Sequence, residues 1–223
     1  MATNNIIGNT SNPIATTALT VNSAAATDSY IQLSVNSSPR FIFGTDNSAG
    51  DVLKLSGGSA LGTTDTFIMT SAGQATMPLQ PCFMATPSGT LSNVTGDNTA
   101  YTVVFATEVF DQNGDFDGTS TFTAPVTGLY YFDCCIYFSG MGVAFTDAII
   151  KFNKNAGTLF TVMRFDPSVA VGALTTLVYG GQILLYLTAS DTVSVTVTVG
   201  NSTKTISLTT TNNGTFFSGY LVG

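Results

Sequence analysis

The chain has 223 residues, of which 44% are hydrophobic and only 9% charged, with 13 acidic residues against 6 basic ones and no histidine. A net charge of −7 with scattered basic residues argues against nucleic-acid or anionic-membrane binding, and the lack of histidine removes Ser-His-Asp, Cys-His and His-ligated metal chemistry. So few charges in an apolar chain exclude a disordered polymer and point to a folded protein that hides surface between subunits.

The first five residues, Met1 to Asn5, show neither a basic stretch nor an apolar one, so no secretory signal peptide is expected. Residues 1–78 then read as short strands: 18–21, 30–35, 40–44, 52–55 and 66–70. Most alternate apolar with polar side chains, the pattern of half-buried strands. Clusters such as Asn36-Ser37-Ser38-Pro39 and Ser56-Gly57-Gly58-Ser59 separate them as turns. With so few large residues the core would be thin. Residues 1–78 are therefore expected to form either a β-rich trimeric shaft or a small β domain that attaches or extends the protein. Met77-Pro78-Leu79-Gln80-Pro81 marks an extended joint.

Residues 79–223 carry longer strands, predicted at 101–107, 120–125, 128–138, 148–152, 157–165, 173–187, 191–199, 203–209 and 215–222. The clearest is Val193, Val195, Val197 and Val199 alternating with Ser194, Thr196 and Thr198. No apolar stripe of helical period occurs. About nine regularly spaced strands predict an all-β sandwich or jelly roll. Cys82, Cys134 and Cys135 are odd in number, which is no disulfide framework. Cys134 and Cys135, being adjacent on a strand, must face opposite ways.

Two separated motifs carry a resemblance. Phe122-Thr123-Ala124-Pro125 runs into Gly128-Leu129-Tyr130-Tyr131-Phe132, and the chain closes with Phe217-Ser218-Gly219-Tyr220-Leu221. Over residues 82–223 this is similar to the globular head of complement C1q, within the tumour-necrosis-factor-like jelly-roll superfamily. Between the motifs the family has an Asn-Gly turn, approximated by Asn153 to Gly157. It also has a Gly-Asp turn, where Ser190 here replaces glycine before Asp191. The resemblance implies a C-terminal jelly-roll sandwich that forms a homotrimer and binds ligands through its exposed surface. Upstream, Phe41 to Ser56 and Leu61 to Asp65 resemble segments preceding the heads of bacteriophage tail fibres. The Gly-X-Y repeat of a collagen stalk is absent.

Few residues carry chemistry. Asp111, Asn113, Asp115 and Asp117 present oxygen ligands at a spacing of two and could hold calcium; the family-based alternative is a connecting turn. The pairs Glu108/Asp111 and Asp133/Asp147 are the nearest thing to glycosidase carboxylates, and no cleft is marked around them. The strand aromatics Phe105, Tyr131, Tyr186, Phe217 and Tyr220 are assigned to the core or a trimer interface rather than to a sugar platform. The sequence is thus expected to encode a non-enzymatic trimeric fibre or appendage protein of a virion surface. Its head would bind a host cell-surface glycan or protein, and its N-terminal part would join other virion or fibre proteins. No membrane insertion is expected. Alternatives are a structural subunit, such as a capsid decoration or extracellular filament protein, and a bacterial surface adhesin.

Overall fold

Alternation of apolar and polar side chains builds strands throughout, and the computed structural model describes residues 21–171 and 175–223. The predicted run at 18–21 lies, Val21 apart, outside the described residues. The chain divides into two compact units, the second being Leu79–Gly223.

The first unit is one antiparallel sheet in chain order: β1 (Ser29–Val35), β2 (Ser38–Asp46), β3 (Val52–Gly57), β4 (Asp65–Met69) and β5 (Ala75–Thr76). Asn36 and Ser37, both left-handed at φ 50° and 61°, close the β1–β2 hairpin, which is the backbone a two-residue mirror-image turn requires. The pairing aligns Ile31, Phe43, Leu55 and Phe67 in one row across four strands. Leu33 and Phe41 lie on one side of that row and Leu53 and Met69 on the other. This face is open: Phe41 is 50% and Phe43 45% exposed.

The opposite face is the covered one, and it holds the charges. Lys54 Nζ lies 2.8 Å from both Asp46 Oδ2 and Asp65 Oδ2. The loops that follow β2 and β3 fold over this triad. Ser48 and the Ala49 N–H donate to Asp46, and Ser56 and the Gly62 N–H donate to Asp65. Ile42 and Leu61 are the buried hydrophobic residues among those described in this unit. The alternation predicts half-buried strands; β2 and β3 are so, with the apolar half facing out, while β1 is exposed along most of its length.

The second unit begins with β6 (Cys82–Thr86), β7 (Leu91–Thr95), β8 (Ala100–Thr102), β9 (Thr107–Asp111), β10 (Thr121–Thr123) and β11 (Gly128–Ser139). It continues with β12 (Asp147–Lys154), β13 (Thr158–Phe165), one helical turn at Pro167–Ala170, β14 (Thr176–Leu187), β15 (Thr192–Gly200), β16 (Ile206–Leu208) and β17 (Phe216–Leu221). One sheet runs β10-β15-β12-β13 with β8 also on β15. The other runs β7-β16-β11-β17-β6-β9 with β14 along β11. These two antiparallel sheets form an all-β, jelly-roll-like sandwich.

The predicted strand at 101–107 is in fact broken. β8 pairs with β15 in one sheet and β9 with β6 in the other. The intervening segment crosses between the sheets and buries Val103 and Phe105 completely. Short strands β6 and β7 carry no strong pattern and escape the sequence reading.

Aromatic rings fill the core. Phe83 stacks on Phe116 and Phe122 at 5.1 Å and meets Phe217 edge-on at 4.9 Å. Gly219 makes room for this cluster, because a Cβ there would come within 2.5 Å of the Phe132 ring. The two sequence motifs therefore meet physically. Phe122 and Phe132 come from the first and Phe217 and Gly219 from the second, with β17 paired antiparallel to β11. Cys134 is buried and Cys135 half-buried, and all three cysteines are free. Burial pushes the Cys134 thiol up to about 12, so it is a packing residue, not a nucleophile.

Candidate self-assembly face

β11 is the longest strand of the head together with β14, and its side chains divide strictly by parity. Tyr130, Phe132, Cys134, Ile136 and Phe138 enter the core. Tyr131, Asp133, Cys135 and Tyr137 point the other way, onto the outer face of the larger sheet. Register then fixes their neighbours. Tyr131 lies opposite Tyr220 of β17 and opposite Leu184 of β14, and Leu129 lies opposite Tyr186. Farther along, Met84 of β6 is paired with Phe110 of β9.

These residues make a largely apolar face with aromatic anchors. Tyr131 and Tyr220 have ring centroids 5.3 Å apart. Tyr186 is 67% and Leu184 56% exposed. Burial, and then the nearby Asp133 and Tyr220, raise the Tyr131 phenol above its ordinary value, so it remains a neutral hydrogen-bonding group. Asp133 is the charged group in the middle of this face. It sits between Ser218 and Gln182, in an open groove of about 380 Å³ that Cys135 and Phe216 also line. Burial raises its carboxyl above the ordinary range, against a smaller lowering by the Cys134 N–H.

The five aromatic residues assigned from sequence to core or interface thus separate. Phe105 and Phe217 are wholly buried in the core, with centroids 5.7 Å apart. Tyr131, Tyr186 and Tyr220 lie on the outer face. The sequence did not single out Leu184, Phe110 or Met84. Strand parity from Tyr186, two residues away on β14, could have found Leu184, but Phe110 lies beyond the broken strand.

The Asp111–Gly118 segment has the geometry of a turn. Asp111 accepts the N–H groups of Gly114, Asp115 and Phe116 at 3.1, 3.1 and 2.9 Å. Asp117 accepts those of Thr119, Ser120 and Thr121. Asn113 donates its amide to Asp115. Both oxygens of Asp111 and Asp115 and one of Asp117 thus accept from the loop's own donors. Among the described residues no group of three or more acidic or cysteine side chains converges as a metal site.

The fold does not bring Asp133 and Asp147 together. Asp133 is on the outer face of one sheet, while Asp147 belongs to the other sheet and forms a two-point pair with Arg164 at 2.8 and 3.2 Å. Asp147 and Arg164 line an open polar recess of about 620 Å³ with Asn98, Asp166 and Asn201.

Solved structures with a similar fold include the globular domain of zebrafish complement 1qA protein, at 20% identity and TM-score 0.45, covering 65% of this chain and 98% of that one. Murine APRIL matches at 12% identity and TM-score 0.44, covering 64% of this chain and 99% of that one. Eiger TNF from S. frugiperda matches at 14% identity and TM-score 0.42, covering 65% and 92%. No curated protein matches the sequence. The model of the C1q domain matches residues 83–222, more than half of the chain and nearly all of the second unit. The chain belongs to the C1q domain family.

Proposed function

We propose that the protein is a non-enzymatic homotrimeric binding module. In this reading the outer face of the β11-containing sheet joins the copies, and the loops at the ends of the sandwich engage a ligand. C1q and TNF-like domains commonly trimerise and bind ligands, and the observation that carries the proposal for this chain is the Tyr131–Tyr220–Tyr186–Leu184 face. Contiguous exposed apolar and aromatic side chains mark interaction surfaces, and aromatic residues are the common anchors of interfaces. The open recess at Asn98, Asp147, Arg164 and Asn201 suits a polar ligand such as a glycan or a polar protein loop. Three weak sites on one trimer would gain strength through joint engagement.

The setting proposed is a virion surface or extracellular appendage, with the unit before Pro78 attaching or extending the head. It is supported by the absence of a collagen repeat and by the sequence character of Phe41 to Ser56. Light scattering is expected to give three times 23.1 kDa, and a monomer mass would overturn the trimer. Immunogold labelling of parent particles, combined with deletion of residues 79–223, tests the setting. Intact particles that no longer adsorb support a binding head. Particles that fail to assemble would make it a structural subunit instead.

A further inference from the structure

The unit before Pro78 has its polarity reversed. Its ion triad, Lys54 with Asp46 and Asp65, is buried under loops, while the row Ile31–Phe43–Leu55–Phe67 stands on the open face with Leu33 and Phe41 beside it. Ile31 is 43% and Leu33 57% exposed. From strand spacing and rise, the patch measures roughly 300 Å² in plan, the size of the largest apolar patch on a typical monomer, which is often functional. No charged side chain occupies those rows. A sheet that covers its charges and leaves its hydrophobic row bare has its core supplied from outside.

We propose that this face is closed by the same face of two further copies of the chain, so that three β1–β5 sheets bury their apolar rows against one another. The inference rests on the trimer proposed for the head. It follows from linkage as much as from composition. Only residues 77–81 separate β5 from β6, a span of at most about 20 Å when extended. Trimerised heads would therefore hold the other two sheets at an effective concentration of about millimolar. The face offers no charge by which to select a foreign partner. A copy of itself is complementary in chemistry and already tethered. The trimer would then have two independent apolar interfaces, one in each unit.

The test uses the full chain with Phe43 replaced by the photoreactive amino acid p-benzoylphenylalanine. A second version carries it at Leu33, in case the first folds poorly, and a third at Tyr30, which points to the covered face beside Gly44. Irradiation is expected to give covalent dimers and trimers for positions 43 and 33, with cross-links mapping to β1–β4 of another copy. Position 30 is expected to give at least tenfold less. If light scattering shows a trimer but positions 43 and 33 link only within their own chain, or to another copy's head, the inference falls and the head trimer stands. Equal cross-linking from position 30 would also overturn it. A monomer by light scattering removes both readings.

Discussion

Tyr131 and Tyr220 stand opposite one another on β11 and β17, their rings 5.3 Å apart and tilted by 40°. The pair lies outside the core, which Phe132 of β11 and Phe217 of β17 enter from the other side of the same strands. Replacing Tyr220 and Tyr186 by glutamate should leave the fold intact and disrupt assembly. Interface tyrosines of this kind are commonly worth 2 kcal/mol or more, about thirtyfold in dissociation constant each. Sedimentation velocity should show the double variant as a monomer at micromolar concentration. A trimer that survives unchanged would remove this face from the assembly.

Asp133 gives the face a pH dependence of definite sign. Its carboxyl is raised by burial, and its neighbours are Tyr131 and Cys135 on its own strand, Ser218 on β17 and Gln182 on β14. None of these is a cation. A raised folded value means that the stability from the protonated form is full below the unfolded pKa near 4 and is lost as pH rises through the folded value. Asp133→Asn should therefore raise the melting temperature at pH 7 and converge with the parent protein below about pH 4. An Asn variant less stable at pH 7 would contradict this.

How far the sequence foretold these features depends on periodicity. The alternation in β15 was legible, because a half-buried strand writes its parity into the chain. The break between Thr102 and Thr107 was not. Val103 and Phe105 continue the apolar pattern while the backbone leaves one sheet for the other, and periodicity does not say which sheet a residue joins. The direction of the first unit's faces was also hidden. Alternation shows that one side is apolar, not that the loops would cover the side bearing Lys54. The tyrosine face was only half legible, because Tyr131 next to Tyr130 does not reveal which of the two turns inward.

Lys54 is held by two carboxylates, and removing it should be severe. Its ammonium is raised by the hydrogen bonds to Asp46 and Asp65. Asp46 is lowered chiefly by Lys54 and Ser48. At Asp65 burial acts upward, and the hydrogen bonds from Lys54, Ser56 and Gly62 outweigh it. Lys54→Met would leave two buried carboxylates facing each other, a loss of about 3–5 kcal/mol for a broken buried pair. Hydrogen exchange should show β2 and β3 losing protection while β11 and β15 keep theirs. The intact triad should stabilise the unit above about pH 4 and lose that contribution as pH falls through the lowered carboxylate values.

In the head, Ser190 and Ala156 are among the residues that hold backbone conformations glycine takes more easily. Ser190, in the turn before Asp191, has φ 75°, and Ala156, between β12 and β13, has φ 53°. The turns keep their shape because their other bonds over-determine them. Asp191 accepts from Lys154, Asn155 and the Thr188 N–H, which hold its carboxyl down to about 2, and the Asn155 side chain accepts the Thr192 N–H at 2.8 Å. An alanine forced into the left-handed region costs about 1 kcal/mol, partly offset in a glycine variant by a looser unfolded chain. Ala156→Gly should therefore raise stability by about 0.5 kcal/mol, or roughly 1–2 °C in a domain of this size. Ser190→Gly should act in the same direction, because nothing beyond a backbone bond from its N–H to the Ala124 carbonyl ties it in place. The two sites lie in turns joined by the Asn155–Asp191 contact at 2.7 Å, so their effects should couple rather than add. Thermal melts of the two single variants and the double variant test this. A loss of stability in either single variant would show that the serine or alanine side chain makes a contact worth more than the strain it carries.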